Sequence, residues 1–163
     1  MNNFYLKNLE SDLKKFLSIF LLTMTIGITT GLAYVYYTTN MTISGTEERF
    51  NGSPTSLKTE IPEEFPKPLE NMILTTHNHI ISFSLISFTI GIIFYFNSII
   101  SGKIKLFLLI EPFLATIMTF VAMWTMRYIY SSFSLVVMFS AILMYLCWYI
   151  MIFISIYELS FKK

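Results

Sequence analysis

The last apolar run, Phe133–Tyr157, reads FSLVVMFSAILMYLCWYIMIFISIY, twenty-five residues without one charged side chain. A helix crosses a bilayer core with about 20 such residues. Three further stretches are long enough to do the same: Phe16–Tyr37, Ile73–Phe96 and Ile104–Met126. In lipid the backbone must satisfy its own hydrogen bonds, so each run is expected as a helix. The sequence therefore predicts an all-α integral membrane protein. Its expected form is an antiparallel four-helix transmembrane bundle with an N-terminal arm (1–15) and one irregular outer loop (38–72).

The composition agrees. Hydrophobic residues make up 55% of the chain and charged residues 13%, far from the balance of a soluble domain. A formal net charge of +1 gives no footprint for nucleic acid. The single cysteine, Cys147, excludes an intrachain disulfide and lies inside the fourth run as a small hydrophobe. The first run is too long for the core of a signal peptide. The arm before it mixes Glu10 and Asp12 with Lys7, Lys14 and Lys15, so the run is expected to persist as the first helix.

Orientation follows from basic residues in the short flanks. Lys7, Lys14, Lys15, Lys103, Lys105, Lys162 and Lys163 fall on one side of a four-span chain, and Arg49, Lys58, Lys67 and Arg127 on the other. Both termini are thus expected on the inner, cytoplasmic side and the 38–72 loop outside. That loop carries six glutamates and four prolines, which oppose a continuous helix. Gly45–Gly52 has room for a short helical turn.

Helices pack in lipid through small and polar residues, because lipid tails compete for apolar contact. The expected inward stripes are Thr23, Gly27, Thr30, Gly31 and Tyr34 in the first span, and His77, Ser84, Ser87 and Gly91 in the second. In the third they are Glu111, Ala115, Met118, Ala122 and Thr125. In the fourth they are Ser134, Met138, Ala141, Tyr145, Trp148 and Ile152. Gly27 and Gly31 form a GxxxG element suited to close helix approach.

Three places carry unusual chemistry. His77 and His79 are the only histidines. On a helix they point nearly opposite ways, and the stripe puts His77 inward. Imidazole ligates haem iron, copper or zinc, so the pair is the candidate metal or cofactor site. Two interfacial histidines bonded to loop or headgroups are the plainer account. Glu111 is a carboxylate inside an apolar run, about 9 Å above Lys105, and such residues are functional candidates. It serves either as hydrogen-bonding glue or in a proton or ion path. Arg127, with Trp124 and Tyr34 at similar depth, suits the outer membrane interface and a salt bridge to Glu47 or Glu48.

No nucleophile triad, phosphate loop or zinc-protease motif is present in the sequence, so the chain is expected not to be an enzyme. Small soluble parts and sixteen phenylalanines suit a non-catalytic accessory or structural subunit of a larger membrane assembly, for instance an energy-transducing or respiratory complex. Its expected partners are the lipid bilayer and proteins within the membrane. The alternatives are a haem- or copper-binding electron-transfer protein using His77 or His79, and a small transporter or channel with Glu111 in its path.

Overall fold

A computed structural model describes residues 5–54 and 62–162. The Lys58 and Glu60 charges of the loop, and Lys163, lie outside the described residues. Helix α1 spans Ser11–Thr39, α2 Ile43–Asn51, α3 Leu69–Tyr95, α4 Gly102–Tyr128 and α5 Ser134–Phe161. All but α2 are long and apolar enough to cross a membrane. At 27 to 29 residues each is about 40 Å long, some 10 Å more than the hydrocarbon core. Their ends therefore stand among headgroups, and the helices overrun the apolar stretches that announce them.

Cross-helix contacts fix the topology. Thr119 and Ser140 share a hydrogen bond of 2.7 Å, and Thr116 donates to the Met144 sulfur at 3.3 Å, so α4 and α5 run antiparallel. Trp124 Nε1 donates to Thr76 Oγ1 at 2.8 Å, and Phe83 meets Phe120, which sets α3 antiparallel to α4. Trp148 Nε1 donates to Ser87 Oγ at 3.0 Å, tying α5 to α3. These three helices form the core. Helix α1 leans chiefly on α5, through Thr29 and the Tyr149 hydroxyl at 2.8 Å and through Gly31, where a Cβ would lie 3.4 Å from the Tyr145 hydroxyl.

The inward faces differ in part from the small-residue stripes. On α3, Met72, Ser87, Ile90, Gly91 and Phe94 are buried and His77 is exposed, so Thr76 takes the inward place expected of His77. On α4, Glu111, Ala115 and Ala122 are buried but Met118 is exposed. The α5 stripe is buried or half-buried throughout. Helix α1 is the main departure. Leu21 and Ile28 turn inward, while Thr23, Gly27, Thr30 and Tyr34 turn away from the bundle. A Cβ on Gly27 would meet no atom within 4 Å.

The described residues of the 38–72 segment fold against the bundle end. Asn40 ends α1 in the left-handed region, which asparagine tolerates. Thr42 then caps α2, its hydroxyl accepting from Gly45 N at 3.0 Å. Gly52 ends α2 at φ +88°, and a Cβ there would strike Pro66 and the Glu64 carbonyl. The chain returns beside α2 through Ser53 N to Glu64 O and Lys67 N to Phe50 O, at 2.9 and 3.0 Å.

Candidate functional site

At the loop end, α2 is docked by its acidic and amide side chains. Glu47 accepts from Ser134 Oγ at 2.7 Å, Glu48 from Ser53 Oγ at 2.5 Å, and Asn51 Nδ2 donates to Met126 O at 3.3 Å. Arg49 donates to the Tyr34 hydroxyl at 3.1 Å and pairs with Glu64 at 3.6 Å. Tyr34 is thus a tether between α1 and α2, not a neighbour of the histidines. Arg127 pairs with neither Glu47 nor Glu48. Its Nε donates to the Lys67 carbonyl at 3.3 Å and its guanidinium lies over the Tyr128 ring. The expected salt bridge is thus replaced by a bond to the loop backbone. Lys67 lies over the Phe50 ring, and partial burial, with the nearby Arg49 charge, holds its ammonium below the ordinary lysine value against the opposing pull of Glu64.

His77 and His79 do not converge. Both are exposed. The His79 ring leans on Phe83 and Phe120. Its Nδ1 is 2.9 Å from the Thr75 carbonyl, which can only accept, so the proton is on Nδ1. Among the described residues no three His, Cys, Asp or Glu side chains gather as a metal site.

Glu111 is buried at 6% exposure between α4 and α5. Cys147 of α5 is its electrostatic neighbour, and Oε2 has no partner among the described residues. Pro112 follows it, and Thr116 Oγ1 bonds back to the Pro112 carbonyl at 2.7 Å. We propose that Glu111 serves as packing glue between α4 and α5. Glu111→Gln keeps a polar side chain of the same shape, so helix content and thermal midpoint in detergent should stay near the parent's, within about 1 kcal/mol. A misfolded variant would contradict that assignment.

The terminus end holds a carboxylate that the sequence did not single out. Glu158, fully buried in the last turn of α5, accepts from Lys7 N at 3.3 Å and from Ser98 N at 2.7 Å. Leu6 N meanwhile donates to Phe96 O at 3.0 Å. The connection between α3 and α4 is folded around buried Asn97, whose Oδ1 accepts from Ile99 N and Ile100 N. Lys105 Nζ donates to the Tyr95 and Asn97 carbonyls, both at 2.9 Å. One signal for Glu158 did exist. An acid in the last turn opposes the helix dipole and asks for a compensating donor.

A family model described as a transmembrane helical domain matches residues 40–163, which cover α2 to α5 and leave α1 outside the match. No curated protein and no solved structure matches the chain.

Proposed function

The chain belongs to the Aq_1264_TM family, a transmembrane helical domain, and from that premise we propose that it is a non-catalytic accessory subunit held within a larger membrane assembly by α1. It is an integral, multi-pass membrane protein with four candidate spans. The observation that carries the proposal is the outward face of α1. In its most apolar stretch only 11% of residues are buried, against 44% in α4. That outward face presents Thr23, Gly27 and Thr30, small residues that let helix backbones approach closely. Lipid needs no such face.

Digitonin-solubilised membranes test it. The parent should migrate in an assembly larger than its own micelle. Gly27→Ile should release it while leaving its thermal midpoint unchanged, since the side chain enters open space. A parent that migrates alone, or an assembly indifferent to Gly27→Ile, counts against the proposal.

The redox alternative draws little support from two exposed histidines on one helix. The transporter alternative needs a polar path, and between Lys105 and Arg127 the α4 sequence holds a single ionisable side chain, Glu111. The lysine bias supports termini on the cytoplasmic side. On a Cys147→Ser background, a cysteine replacing exposed Glu63 should react with an impermeant maleimide only from outside; labelling from the cytoplasm would reverse the orientation.

A further inference from the structure

On the side of the core formed by α3 and α4, a groove of about 420 Å³ runs along the loop-end half of the bundle. Its walls are Thr76 and Ile80 of α3 and Ile117, Val121, Trp124 and Tyr128 of α4. From Ile117 to Ile129 it rises about 18 Å, close to the roughly 15 Å depth of one leaflet's hydrocarbon. The lower walls are apolar. Trp124 stacks on Tyr128 at the rim, and the Arg127 guanidinium lies 5.0 Å from the Tyr128 ring.

Arg127 is incompletely used. Its Nε holds the Lys67 carbonyl. Its terminal nitrogens have no partner among the described residues, where the ion pairs are Lys15–Asp12 and Arg49–Glu64. A guanidinium presents two parallel donors matched to phosphate. An apolar channel about one leaflet deep, with the Arg127 guanidinium beside its rim over the Tyr128 ring, is complementary to a single amphiphile with an anionic head. A partner helix would have to bring an acid to this depth to match the guanidinium, whereas a phospholipid carries its phosphate there in any case.

We propose that this groove binds one anionic phospholipid, its acyl chain along Ile117, Val121 and Trp124 and its phosphate on Arg127. The site is separate from the α1 face and stands whether or not α1 has a partner.

Native mass spectrometry of the full chain in mild detergent tests it, with phosphatidylglycerol and phosphatidylcholine of identical chains offered in equal amounts. The parent should retain one phosphatidylglycerol in preference to phosphatidylcholine. Arg127→Gln should lower that retention about fivefold, the effect of one basic residue at an anionic surface. Because Arg127 also holds loop backbone, Val121→Trp supplies an independent variant. Val121 is exposed in the groove, so the larger ring blocks the chain and leaves Arg127 in place. Retention should fall there too. Equal retention of both lipids by the parent overturns the proposal, as does a preference that survives both variants. So does a photo-crosslinker at Val121 that captures a polypeptide in native membranes instead of lipid.

Discussion

Glu158→Ala is expected to lower stability by about 3–5 kcal/mol, among the largest effects of any single change in the chain. The carboxylate is wholly enclosed and is the acceptor for two backbone amides from different segments, Lys7 of the arm and Ser98 of the α3–α4 connection. Removing it strands both N–H groups and opens a cavity at the end of α5. Each hydrogen bond to a charged acceptor is worth about 1.5–3 kcal/mol, and an orphaned buried donor adds its desolvation cost. Glu158→Gln retains one acceptor oxygen but turns an NH₂ toward an amide, so it should lose about half as much. SDS-induced unfolding in mixed micelles reads the stability. Trypsin cleavage after Lys7 reads the arm, which should open faster in the alanine variant. A loss below about 1 kcal/mol with an unchanged cleavage rate would show that Glu158 does not hold the arm.

Trp148→Ala should cost a similar amount, about 3–5 kcal/mol. Trp148 is 1% exposed, at the junction of α3 and α5. Its ring meets Phe83 edge-on at 5.4 Å and Tyr145 at 5.3 Å, and its N–H is bonded to Ser87. Lipid supplies no water-driven penalty for exposure, yet the cavity and lost dispersion contacts remain. Trp148→Phe separates the two contributions. It keeps most of the packing and forfeits the hydrogen bond, so it should cost about 0.6 kcal/mol and at most about 2. Both variants are read by the same unfolding titration. An alanine variant no weaker than the phenylalanine one would move the packing centre elsewhere.

The spans were legible because length and apolarity alone define them. Which way each helix faces was legible only where polarity and packing agree. Glu111 and Trp148 turn inward as their stripes predict, since an intramembrane carboxyl or indole N–H needs a protein partner. Helix α1 went the other way. Its Thr23, Gly27 and Thr30 stripe is equally good for packing within the chain or between chains, and in lipid no hydrophobic periodicity distinguishes the two faces. Thr hydroxyls add to the ambiguity because they bond to their own helix, as Thr23 and Thr30 do to the Ile19 and Ile26 carbonyls. His77 failed as an inward residue for a related reason: its neighbour Thr76 offers Trp124 an acceptor at the right register, and the register is one residue away. Glu158 went unnoticed because it falls just beyond an apolar run, where a charge looks like a solvated flank. Its two partners lie 151 and 60 residues away in sequence, and no local pattern records them.

We propose that α1 uses its small-residue face to bind a protein within the membrane. A photo-crosslinking amino acid placed at Gly27 and irradiated in native membranes tests it most directly, with Leu114 on the exposed face of α4 as the lipid-facing control. A discrete higher-mass protein adduct is expected at Gly27 and none at Leu114. Lipid adducts alone at Gly27, or the same pattern at both positions, would contradict it.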